Sequence, residues 1–94
     1  MNDLPENKLT ASLLEYPCDF PLKIFGLQQA GFAQAVLEVV GKHDPGFTAA
    51  GMEMRASKNA RYVSLTCTIR ATSREQLDAI YQELCDHPLI VMVL

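Results

Sequence analysis

The chain is predicted to fold as a small α+β domain, four strands in one antiparallel layer with two helices behind it, and three observations carry that prediction. Tyr62 to Ala71 alternates without a break, with Val63, Leu65, Cys67, Ile69 and Ala71 on one side and Tyr62, Ser64, Thr66, Thr68 and Arg70 on the other. That is the period of a strand with one buried face and one face that tolerates water, and its branched and aromatic content suits a pleated surface. Two other stretches carry apolar residues at the spacing of a helix face. Proline, glycine and capping residues separate the segments.

Taken in order, residues 1–12 are polar, hold Pro5 and show no sustained period, which predicts a loose N-terminal tail before a single domain at 13–94. Leu13, Leu14, Tyr16 and Phe20 add apolar weight, but Pro17 and Pro21 forbid a regular helix there. An extended stretch laid over another element is expected. Leu22 to Gly26 reads as the first strand, with Leu22 and Ile24 on one side, Lys23 and Phe25 on the other, and a sharp exit at Gly26. From Gln29 to His43 the period becomes helical: Phe32, Ala33, Val36, Leu37 and Val40 form a stripe, and Lys42 and His43 complement the dipole of the last turn. Asp44-Pro45-Gly46 ends that helix.

Ala50 to Ser57 predicts a second strand, and Ser57-Lys58-Asn59-Ala60-Arg61 a polar hairpin loop leading into the strand from Tyr62. Thr72 or Ser73 then caps a helix, since Glu75 and Gln76 each stand three residues on from one of them. Leu77, Ile80, Tyr81 and Leu84 share its inner face, Pro88 stops it, and Leu89 to Leu94 makes a last strand. The order is β-α-β-β-α-β. Right-handed crossovers place both helices on one face of the sheet and the strands in the order 4-1-3-2. This is the ferredoxin-like plait.

Composition bounds the function. Of the 94 residues 49% are hydrophobic, enough for a globular core. A net charge of −3 argues against general attraction to nucleic acid or anionic membrane. Cys18, Cys67 and Cys85 form no C-x-x-C pair, which fits a reducing, cytoplasmic setting better than a disulfide framework. No apolar run approaches the roughly 20 residues that span a bilayer, and no signal-peptide core precedes residue 15.

Several separate runs carry a resemblance. Leu13-Leu14-Glu15-Tyr16-Pro17, Phe20-Pro21-Leu22-Lys23-Ile24-Phe25-Gly26, Lys58 with Tyr62-Val63-Ser64, Glu75-Gln76-Leu77-Asp78-Ala79-Ile80-Tyr81, and His87-Pro88-Leu89-Ile90-Val91-Met92-Val93-Leu94 resemble the YbeD family of small bacterial cytoplasmic proteins of unknown function. The resemblance covers residues 13 to 94. It implies the same plait, similar to the ACT regulatory domains that sense amino acids in metabolic enzymes, and it supplies no catalytic residues. The Asp-x-Pro-Gly turn of amino-acid-binding ACT domains is missing after the first strand, where the chain reads Gly26-Leu27-Gln28-Gln29.

Candidate chemistry is thin. His43 and His87 each follow a helix and the cysteines are dispersed without zinc spacing, so helix-end partners explain the histidines better than a metal site. Cys85 and His87 are close in sequence, but nothing orients them as nucleophile and base. The acylphosphatases share the plait, yet their phosphate-loop arginine is absent, since no arginine precedes Arg55. No Gly-rich phosphate loop occurs, and Lys58 with Arg61 is expected to be a solvated hairpin tip that could hold an anion. RNA-binding plaits stack bases on aromatic rings of the open face. Here Phe25 and Tyr62 lie beside Lys23, Arg55 and Arg70, while mid-strand Ser64, Thr66 and Thr68 offer hydroxyls instead of rings.

The last strand is apolar at every position. If Ile90, Met92 and Leu94 face the helices, then Leu89, Val91 and Val93 face outward, and an uncovered apolar edge is a hazard that proteins manage. Leu13 to Phe20 or a second copy of the chain is expected to cover it. The sequence therefore predicts a non-enzymatic regulatory or interaction module that dimerises or docks a protein through its open face and last strand, with RNA binding by that face as the alternative. A small-molecule ligand is a secondary option, and no cofactor, metal or membrane contact is expected. The site residues are Lys23, Phe25, Lys58, Arg61, Tyr62, Ser64, Thr66, Arg70, Val91 and Val93.

Overall fold

A computed structural model describes residues 15–57, 59 and 61–94, so the predicted tail, Leu13, Leu14 and Lys58 lie outside the described residues. The elements are β1 (Cys18–Leu27), α1 (Phe32–His43), a single 3-10 turn (Ala49–Gly51), β2 (Met52–Ala56), β3 (Tyr62–Ala71), α2 (Arg74–Asp86) and β4 (Ile90–Val93). The sheet is antiparallel in the order β2-β3-β1-β4, the predicted 4-1-3-2 seen from the other end.

One side of the sheet is buried. Phe20, Leu22 and Ile24 of β1 and Val63, Leu65, Cys67, Ile69 and Ala71 of β3 form a single cluster with Phe32, Val36, Val39 and Val40 of α1 and Leu77, Ile80 and Leu84 of α2. No strand residue of the opposite phase is buried, so both helices lie on the same side. Burying each such side chain is worth about 1.5–3 kcal/mol, and this layer is where stability resides.

β1 extends further than Leu22–Gly26 because Pro21 does not break it. Lys23 exchanges both backbone hydrogen bonds with Leu94 (3.1 and 2.8 Å). Pro21, two residues earlier, aims its nitrogen to the same side, beyond the end of β4, where no donor is required. Cys18–Phe20 thus belongs to the sheet, paired with Ala71, Arg70 and Ile69 of β3. It does not lie over β4, which removes that part of the expected cover for the last strand.

α1 starts at Phe32 instead of Gln29 because Gly31, its N-cap, adopts a left-handed φ of 91° that no helix continues through. Its buried stripe includes Val39, with Leu37 only half-buried. β2 is shortened because Ala49–Gly51 coils into the 3-10 turn. In α2 the Ser73 register prevails: its hydroxyl accepts from the Gln76 backbone N–H at 3.0 Å. The Gln76 side chain accepts from Thr72 N–H at 2.7 Å and donates to the carbonyls of His43 (2.8 Å) and Arg70 (3.2 Å), tying both helices to the end of β3.

β4 corrects the expected alternation. Val93 stands opposite Ile24, Met92 opposite Phe25 and Ile90 opposite Gly26, with the register shifting between Phe25 and Gly26. Directly opposed residues share a face, so Val93 turns toward the helices, and Met92 and Leu94 toward the open side. Val91 sits in the irregularity and is 59% exposed. The shift falls where the Phe32 ring and the Leu89 carbonyl crowd Gly26: a Cβ there would lie 2.2 and 2.5 Å from them.

Candidate functional site

Register places the open face in rows that cross the strands. Tyr62 neighbours Leu27; Arg55, Ser64, Phe25 and Met92 form the next row; Glu53, Thr66, Lys23 and Leu94 the third; Thr68 and Pro21 the fourth; Arg70 and Asp19 the last. The first rows make an apolar end from Leu27, Tyr62, Phe25, Met92 and Leu94, continued by Val91 at the edge, and all of these but the half-buried Phe25 are exposed. The far end is polar, closed by the Arg70–Asp19 ion pair at 3.3 Å. The ammonium of Lys23 stands 5.6 Å from the centre of the Phe25 ring, within cation–π range.

Of the residues singled out from the sequence, the structure gathers Lys23, Phe25, Tyr62, Ser64, Thr66 and Arg70 on this one face, with Arg61 exposed at the adjoining hairpin and Val91 at the edge. Val93 is removed to the helix side. Leu27, Met92 and Leu94 were missed as members of the face. Leu27 continues the Lys23, Phe25 alternation and was legible had the strand been carried one residue past Gly26; Met92 and Leu94 depend on the shifted register.

Elsewhere Glu83, Lys42, His43 and His87 are tied into structure. Glu83 of α2 receives Lys42 and the His43 Nε2 atom (2.5 Å) from α1, and these hydrogen bonds hold its carboxyl below the ordinary range. His87 Nδ1 accepts from the Leu89 backbone N–H at 3.1 Å, so it caps the turn into β4. Burial pushes the Cys67 thiol up to about 11, which keeps it protonated and unreactive. Burial also raises the Tyr16 phenol. Cys85 is exposed and Cys18 half-buried. Among the described residues no group of three or more His, Cys, Asp or Glu is placed to hold a metal ion. A broad open hollow on the helix side passes Leu37, Lys42, Phe47, Glu83 and His87, bringing together charge pairs that already bind each other. No helix among the described residues is long and apolar enough to cross a membrane.

A four-stranded antiparallel sheet in this order, with two helices on one face and the other face open, defines a ferredoxin-like α+β domain. A solution structure of the Helicobacter pylori protein HP0495 superposes on it with a TM-score of 0.68 at 14% identity, covering 100% of this chain and 98% of that one. A second solution structure of HP0495 gives 0.54 at 16% identity, over 84% and 87% of the two chains. Residues 11–94 match the model of a protein family of unknown function, DUF493, and the chain belongs to that family. Its relatives are small bacterial proteins named UPF0250, the YbeD family that the sequence resembles. The UPF0250 protein of Nitrosomonas europaea is 57% identical over 88% of this chain and 95% of its own length. That of Bordetella pertussis is 51% identical over the full length of both.

Proposed function

We propose that this domain works by contact, as a cytoplasmic regulatory or interaction module of ACT-like type without chemistry of its own, dimerising or docking a protein through the open face and the edge at β4. The observation that carries the reading is the continuity of an exposed apolar end, Leu27, Phe25, Tyr62, Met92 and Leu94, with an edge strand that holds no charge. Exposed apolar patches rimmed by polar groups mark contact sites, and uncharged edges invite pairing. Lys23, Arg55 and Arg61 supply the polar rim.

Sedimentation over a concentration series, together with capture from lysate by the wild type, Val91→Lys and Phe25→Ala, tests this. The expected result is a self-association or a retained protein that both variants weaken about tenfold while melting changes little. A wild type that stays monomeric and retains the same material as both variants refutes it.

A further inference from the structure

The two sides of the molecule differ in charge. The open face presents Lys23, Arg55 and Arg70 with Asp19 and Glu53. Asp19 engages Arg70, whereas Lys23 and Arg55 enter no ion pair among the described residues. The helices carry five carboxylates, Glu38, Glu75, Asp78, Glu83 and Asp86, against Lys42 and Arg74. In a chain of net charge −3 the cations that enter no ion pair among the described residues therefore border the apolar end of the open face. Arg55 shares a row with Phe25 and Met92, Lys23 a row with Leu94, and Arg61 stands exposed beside Tyr62.

Resting on the docking reading above, we propose that the occupant of this face is an acidic amphipathic helix of another protein. Its apolar stripe lies on Leu27, Phe25, Tyr62 and Met92, and its carboxylates meet Lys23, Arg55 and Arg61. A helix, like a second sheet, covers a bare sheet face in layered folds. Arginine takes carboxylates through paired hydrogen bonds, and opposite charge steers the encounter. The composition of the patch argues against the other occupants. A nucleic acid needs rings along the strand to stack on, and Ser64 and Thr66 stand there, with aliphatic Leu27, Met92 and Leu94 around them. A second copy docked face to face sets a net positive patch against itself.

The test is selection of peptides of about 16 residues from a random display library on the full chain, followed by amide NMR shift mapping of the enriched peptides. The expected peptides carry Asp or Glu around an apolar i, i+3, i+4, i+7 stripe and shift Phe25, Arg55, Tyr62 and Met92. Lys23→Glu combined with Arg55→Glu weakens them about tenfold, Glu53→Lys tightens them, and added salt weakens them. Unchanged melting of the double variant and of Glu53→Lys shows that both fold. Neutral or basic peptides that map to this face overturn the acidic helix and leave the docking reading standing. Peptides that map to the helix layer, or no enrichment, overturn both. Oligouridine shifting the same signals with a steep salt dependence, or a dimer in sedimentation that buries them, assigns the face to RNA or to a second copy and overturns the proposal.

Discussion

Leu65 and Thr66 are consecutive residues of β3, hydrogen-bonded into the same sheet, yet they belong to different environments. Leu65 is 1% exposed and wedged among helix side chains, while Thr66 sits half-covered between Glu53 and Lys23 on the open side. The same contrast runs along β1, where Ile24 is fully buried and Phe25 is not. The buried side fixes the fold, because removing any of its groups leaves a void that close-packed neighbours fill only in part. The open side carries little of the stability, so its residues are free to be chosen for contact. A bare face that retains rings, aliphatic side chains and cations outside any ion pair among the described residues is thus informative about function in a way the core is not.

The comparison breaks most visibly in the core. Leu65→Ala is expected to lower stability by about 2–5 kcal/mol in denaturant unfolding. Gly26→Ala follows at about 1–3 kcal/mol or more, since the added methyl meets the Phe32 ring and the rigid Leu89 carbonyl. Ser73→Ala removes the side-chain cap of α2 and should cost about 1 kcal/mol. Thr66→Ala on the open side should stay within about 0.5 kcal/mol. A loss at Thr66 comparable with that at Leu65 would show that the open face is part of the core, through a partner or a second copy.

Two finer measurements sharpen the same contrast. Alkylation at pH 8 should modify exposed Cys85 rapidly and Cys67 only on unfolding, because burial raises the Cys67 thiol to about 11. Glu83 has a folded-state value below its unfolded one, so its contribution is present above the ordinary carboxylate range and is lost as pH falls through the lowered value. Glu83→Gln should flatten that part of the acid limb slightly, since the pair is solvent-exposed. An acid limb unchanged by the substitution would show that the α1–α2 charge cluster adds nothing to stability.

Much of the fold and half of the face could be read from residue order. The alternation of Tyr62–Ala71 assigned every side chain of β3 to its observed side, and the Leu77, Ile80, Leu84 spacing gave the buried stripe of α2. Errors came where a local signal was ambiguous. Pro21 signals a break along the chain, but it is harmless where the neighbouring strand has already ended. Val93 was placed outward by strict alternation, and the register shift at Gly26 turns it to the helix side, while Val91 stays exposed. Leu27 was lost with the last residue of β1.

Residue order by itself determined the element types, the sheet order and the two faces of β3, because periodicity and capping are interactions between neighbours in the chain. Only the tertiary structure decided the phase of β4 and the meeting of Leu27, Tyr62, Met92 and Leu94 with Lys23 and Arg55. Those placements are set by how one strand meets another and by what crowds Gly26, which are contacts between segments far apart in the chain.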